Sequence, residues 1–181
     1  MKVRAFIGID IPNGIKKEII KLQNSLPEFF GKKTEPENLH LTLKFLGEID
    51  EEKLEEVKEK LKEIKLGEFE VTIDEIGFFD NLRSKIYSKK FIIWLHMANC
   101  DVLQKKVDDA LEGLFASEKR FMSHVTIARV KSVKDRDKFI KELNSIKPAG
   151  HRFSVKNFKL KKSVLKSKGP EYQDIEVYSL K

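Results

Sequence analysis

His40-Leu41-Thr42-Leu43 and His124-Val125-Thr126-Ile127 repeat one pattern, His–apolar–Thr–apolar. The chain of 181 residues has four histidines, and two of them stand two places before a threonine. On a strand, residues i and i+2 share a face. Each histidine therefore points the same way as its threonine, while Leu41, Leu43, Val125 and Ile127 point into a core. Outward from the first copy, residues 3–11 are an apolar run rich in β-branched residues and read as a strand. Pro12 follows where the first turn of a helix tolerates it. Ile15, Ile19, Leu22 and Leu26 then recur at helical spacing. Residues 39–46 alternate and are expected to stop at Gly47. Leu54, Val57, Leu61 and Ile64 stripe a highly charged helix. Residues 69–79 and 84–88 read as a hairpin around Asp80-Asn81.

The same order returns around the second copy. Residues 91–97 read as a strand, and Leu103, Val107, Leu111 and Leu114 as a helix with Asp101 as its cap. Residues 124–130 are a strand. Ser132 and Asp135 resemble a capping box ahead of Phe139, Leu143 and Ile146. Residues 152–164 and 171–179 form a closing hairpin broken at Gly169-Pro170. Each half reads strand, helix, strand, helix, two strands. The expectation is an α+β fold, duplicated and bilobal, with two antiparallel-rich sheets and flanking helices around a central cleft. No low-complexity linker parts the half-repeats, roughly residues 1–89 and 90–181, so residues 1–181 are expected to fold as a single domain.

A pseudo-two-fold axis between two such strands would aim two histidines and two threonines into one cleft. Imidazole exchanges a proton near neutral pH. Two imidazoles on opposite sides of a phosphorus form an acid/base pair: one takes a proton from an incoming water, the other protonates the departing oxygen. Threonine hydroxyls suit the non-bridging oxygens, where charge builds. The scheme requires no metal and no cofactor. From the residues alone the two copies are too alike to tell donor from acceptor.

Four histidines invite a zinc reading, but no pair has the usual ligand spacing and no carboxylate joins the motifs. His96, in an apolar run, is expected in or beside the core, and His151 on the surface. Cys100 lacks a nucleophile's local signature and is expected to be inert. Phe45 holds the place after His40 that Arg129 holds after His124. It could stack on a base, although continued alternation with Leu41 and Leu43 favours the core. Strict alternation would also turn Arg129 away from His124, so a role there requires a bulge or a strand end.

These residues resemble the two-histidine (2H) phosphoesterases, and within them the RNA 2′,3′-cyclic phosphodiesterase, or 2′–5′ RNA ligase, branch. The resemblance spans nearly the whole chain. It includes Arg4-Ala5-Phe6-Ile7-Gly8-Ile9-Asp10, the Asn38-to-Gly47 run around the first motif, and Ser123 to Arg129 around the second. Ser163-Val164-Leu165 and Gly169-Pro170-Glu171-Tyr172 match the closing signature. It implies hydrolysis of a terminal 2′,3′-cyclic phosphate to a 2′-phosphate and leaves open 2′–5′ ligation to a 5′-hydroxyl. It also implies His40 as proton donor, His124 as proton acceptor, Thr42 and Thr126 as phosphate holders, and Arg129 as a phosphate contact. The implied partner is RNA with a cyclic phosphate end, tRNA fragments among the sources. A monomer is expected. An RNA-binding module without turnover, or an esterase of small cyclic nucleotides, remains an alternative.

Composition sets the class. Hydrophobic residues make up 40% and aromatics 9%, too many for a disordered chain. No apolar run approaches a membrane span, no signal peptide is evident, and one cysteine allows no internal disulfide. A soluble, cytoplasmic protein is expected. No P-loop glycine pattern is present. The net charge is +7, and the excess lies mainly in residues 147–181. A localised basic surface suits an anionic partner. In residues 152–162 Lys and Phe interleave. Phe153, Val155, Phe158 and Leu160 are expected inward, and the lysines outward along RNA, weakening as salt rises. Abundant Lys and Glu with little Gln and Cys lean towards a thermophile. Thermal unfolding should accordingly have a midpoint above the roughly 45–65 °C of mesophile domains; a midpoint inside that range would contradict the compositional reading.

Overall fold

The structure, a computed structural model, describes residues 2–80, 90–167 and 169–181. β1 (Val3–Asp10) is apolar without alternation because both of its faces are covered, and Ala5, Phe6, Ile7 and Ile9 are all buried. Pro12 leads into α1 (Asn13–Asn24). β2 (Phe30–Lys33) follows, then a 3-10 turn at Pro36–Asn38, and then β3 (His40–Ile49), the first motif strand. Gly47 does not end β3. It bends the strand at φ +73°, opposite Ala5, and pairing continues to Ile49. α2 (Glu51–Lys62) starts at Asp50, whose carboxylate accepts from the Lys53 amide at 2.9 Å, and it buries Leu54, Val57 and Leu61. β4 (Phe69–Asp80) closes the first half. The second strand expected after it, residues 84–88, lies outside the described residues.

The second half runs β5 (Phe91–Ala98), α3 (Asp101–Ala110), β6 (His124–Ser132), α4 (Arg136–Ser145), β7 (Arg152–Val155), β8 (Asn157–Lys166) and β9 (Gly169–Ser179). Asp101 is not the cap of α3: it is the first helical residue, and Cys100 holds the cap position without a side-chain bond. Ser132 ends β6 rather than capping α4. Asp135 caps that helix, accepting from the Lys138 amide at 3.0 Å. The single strand expected over residues 152–164 is broken into β7, at one edge of the sheet, and β8, which lies towards the opposite edge between β1 and β9.

Strand pairing crosses the half-repeats. β4 pairs with β5 and β7, whereas β8 pairs with β1 and β9. Each half thus passes its late strands to the other. One antiparallel group is β7-β4-β5-β6 and the other is β3-β1-β8-β9. The two groups meet at a single pair, Leu41 opposite Val125. The two expected sheets are therefore halves of one continuous sheet joined at its centre. β2 runs beside β6 further along, filling the wedge where β3 turns away. The helices also cross over, with α1 touching β6 and α3 touching β3.

That crossing is tied by a buried ion pair. Lys44 of β3 is 3% exposed and its ammonium donates to Asp108 of α3 and to the Ala116 carbonyl, 2.7 Å away. Asp108 also accepts from Gln104 at 2.8 Å and from the Glu118 amide at 2.9 Å. Burial alone would raise the Asp108 carboxyl, but these donors hold it below its ordinary value. Removing one member of such a pair leaves a buried charge alone, at a cost of about 3–5 kcal/mol. Lys44→Met should lower stability by about that amount in denaturant unfolding, and Lys44→Met with Asp108→Leu should recover most of it. An unchanged midpoint in the single variant would contradict this.

Candidate active site

Both motif strands break alternation at the same place. On β3, Thr42 lies opposite Gly8 and Lys44 opposite Ile7, so Leu43 has no partner on β1. On β6, Thr126 lies opposite Trp94 and Ala128 opposite Ile93, so Ile127 has no partner on β5. These are bulges: one extra residue turns everything after it by one face. Leu43 and Lys44 are consecutively buried, as are Ile127 and Ala128. Phe45 and Arg129 then return to the face of the histidines. The bulge that Arg129 needed is present. Phe45 does not join the Leu41/Leu43 core, because the bulge reverses the parity that favoured it, and its side chain is 71% exposed. The carbonyl freed at Ile127 is satisfied by the Thr34 amide at 2.9 Å and by the buried Gln23 amide of α1 at 2.8 Å.

The Leu41–Val125 pair sets the geometry between the motifs. In an antiparallel pair, one step along one strand matches one step back along the other. His40 therefore lies across from Thr126, and Thr42 across from His124, on one face. Each ring is held alike. His40 Nδ1 lies 2.7 Å from the Asn38 carbonyl and His124 Nδ1 2.7 Å from the Met122 carbonyl. A carbonyl can only accept, so Nδ1 carries the proton of the neutral ring and Nε2 is the basic atom. Thr42 Oγ1 donates to His40 Nε2 at 3.1 Å, whereas His124 Nε2 makes no hydrogen bond among the described residues.

Both imidazoles are half-buried, and both are pushed towards the neutral form. For His40 the chief cause is burial, with Lys161 adding to it and the Asn38 carbonyl and Asp10 opposing. For His124 it is again burial, with Arg129 and His96 adding and the Met122 carbonyl opposing. Two proton-poor rings beside two hydroxyls and a guanidinium suit an anion, whose charge would draw a proton onto one of the rings.

Aromatic rings frame the pair. Phe6 lies 4.9 Å and Tyr172 4.8 Å from the His40 ring, and Phe79 lies 5.1 Å from the His124 ring. Trp94, opposite Thr126, packs on Gly77, where a Cβ would come within 2.4 Å of the indole; its buried Nε1 has no hydrogen-bond partner among the described residues. Phe79, Trp94 and Gly77 carried no signal in the sequence beyond strand periodicity. Lys159 and Lys161 are not outward RNA contacts. Both bind Asp10 and Asp174 at 2.5–2.7 Å, and Lys161 is 6% exposed. Phe158, Leu160 and Val155 are buried as expected, with Phe153 partly so.

His96 is not in the core. It lies opposite His124 on the cleft face and its Nδ1 donates to Asp74 at 2.6 Å. Burial pushes the Cys100 thiol up to about 11, leaving it unreactive. Among the described residues no three His, Cys, Asp or Glu side chains converge as metal ligands, and no helix is long and apolar enough to cross a membrane.

A family profile described as LigT like Phosphoesterase matches residues 9–86 and 97–172. The RNA 2′,3′-cyclic phosphodiesterase of Methanocaldococcus jannaschii is 35% identical over 178 residues, covering 96% of this chain and 99% of that one. Its namesake from Methanothermobacter thermautotrophicus is 35% identical over 191 residues, covering 99% and 100%. The crystal structure of Escherichia coli LigT complexed with 3′-AMP superimposes with a TM-score of 0.81 at 25% identity, covering 99% of both chains. Independently of these likenesses, the burial of both rings has a direct test. Followed by NMR in the free protein, His40 and His124 should each take up their second proton below the ordinary 6.5. A midpoint above that value for either ring would contradict the geometry.

Proposed function

Since the chain belongs to the LigT-like phosphoesterase family, we propose that it is an RNA 2′,3′-cyclic phosphodiesterase that opens the terminal ring to a 2′-phosphate. The phosphate sits between the motifs, its non-bridging oxygens receiving hydrogen bonds from Thr42 and Thr126 and the charge of Arg129. His124 Nε2 takes a proton from water as the water oxygen bonds to phosphorus. The bond from phosphorus to the 3′ oxygen breaks, and His40 delivers a proton to that oxygen. The ring that enters neutral leaves charged, and the ring that enters charged leaves neutral; solvent resets both. The anionic phosphate offsets the burial that disfavours a charged His40. Phe45, exposed beside Thr42 on the same face, offers its ring to the terminal base. A 5′-hydroxyl in place of water would give 2′–5′ ligation by the same steps. Neither route calls on a metal or a cofactor.

The observation that carries this reading is the Leu41–Val125 register, which turns two separate His-x-Thr strands into one symmetric cradle. A binding module needs hydroxyls and cations but no pair of matched proton-exchanging rings.

With an oligonucleotide ending in a 2′,3′-cyclic phosphate, His40→Ala and His124→Ala should each abolish turnover while the fold survives. Thr42→Ala and Thr126→Ala should lower it about ten- to a thousandfold. A chelator should leave the rate unchanged, and the product should carry its phosphate on the 2′ oxygen. Normal turnover by either histidine variant, or a 3′-phosphate product, would refute the assignment.

A further inference from the structure

The two motifs are alike, but their neighbours are not. The residue opposite His40 on the adjoining strand is Asp10, and the residue opposite His124 on the adjoining strand is His96. The strands concerned, β1 and β5, hold equivalent places in the two halves. Asp10 sits in a closed set with Asp174, Lys159 and Lys161, in which Lys161 and Asp10 act on His40 in opposite senses. His96 has one carboxylate partner, Asp74, which a further bulge on β4 brings beside it.

We propose that His96, oriented by Asp74, is the positioning residue that makes His124 rather than His40 the proton acceptor. The inference rests on the reading above and deepens it by assigning roles that the paired motifs leave symmetric. Directly opposed residues of an antiparallel pair hold their Cβ atoms about 5 Å apart and point to one face. His96 is part-exposed there, and its Nδ1 proton is committed to Asp74. When the His96 ring carries its second proton, Asp74 is its counter-ion and its charge lies beside His124. That charge opposes protonation of His124 and leaves its Nε2 free to take the proton of water.

The charged and titratable groups around His124 are few among the described residues. Arg129 lies on its own strand, His96 on β5, Asp74 and Glu75 on β4, and His40 across the Leu41–Val125 pair. Arg129 acts in the same sense as His96. Glu75 pairs with His96 in register and lies one strand further from His124. His96 is the group whose counterpart in the other half is acidic, so it is the one that separates the two roles.

Two variants and two readouts test this. His96→Gln removes the charge and keeps a polar side chain, whereas His96→Arg makes the charge permanent. In the free protein, NMR should show the His124 titration midpoint rising by about half a pH unit in His96→Gln, the effect of one charge at about 6 Å in a solvent-filled cleft. In His96→Arg it should stay at or below the wild-type value. The acidic limb of kcat/KM for the cyclic-phosphate oligonucleotide reports the free enzyme's base. It should move up with His96→Gln and return with His96→Arg. A His124 midpoint unmoved in a folded His96→Gln protein would overturn the inference, as would movement of the alkaline limb instead. The NMR readout does not depend on turnover, so an inactive wild type would refute the proposed function without touching this result.

Discussion

One backbone pairing, Leu41 opposite Val125, holds the site together. Among the described residues it is the only backbone ladder pair between the two motif strands, and it lies between the His and the Thr of each motif. Because an antiparallel pair is symmetric about its own centre, this contact places each histidine across from the other motif's threonine. The exchange of late strands between the halves makes the contact hard to shift. β4 is committed to β5 and β8 to β1, so neither half can slide without breaking long ladders in both. Lys44 and Asp108 fasten the same crossing from behind, where α3 covers β3.

The bulges do the rest. A regular strand would give each motif only two cleft-facing groups before the next residue on that face turned out to be Lys44 or Ala128. The skipped residue at Leu43 and at Ile127 hides those two and returns Phe45 and Arg129 to the cleft. It has a cost in unpaired backbone, and at Ile127 the buried Gln23 side chain and the Thr34 amide meet it. One duplicated distortion thus yields an aromatic surface from one half and a fixed cation from the other. The site is symmetric in its imidazoles and hydroxyls and asymmetric beyond them, with an aromatic ring in one half and a guanidinium in the other.

Much of this was legible in the sequence. The two His-x-Thr copies were visible as a repeat, and the helical stripes Leu54–Val57–Leu61 and Leu103–Val107 fall on the buried faces of α2 and α3. Other parts were not. β2 is fully exposed and has no apolar alternation; backbone pairing to β6 alone makes it a strand. Periodicity cannot reveal a bulge, so for Phe45 alternation favoured the core over a base-stacking place until the pairing showed otherwise. Lys161 read as a surface charge because nothing local announces that Asp10, distant in the chain, will meet it in a half-buried cluster. His96 read as in or beside the core because its run is apolar; its partners, Asp74 and His124, come from two other strands. In each case the missing information is which strands are neighbours and in what register, and that depends on contacts between residues far apart in the chain.

The central claim is that both motif histidines act on one phosphorus. Orthovanadate, which adopts the geometry of a phosphate under attack, tests it through 15N NMR of the two rings. The account predicts that a single equivalent of vanadate shifts the Nε2 signals of His40 and His124 together, along one binding curve. A shift confined to one ring, or two rings responding to separate equivalents, would contradict it.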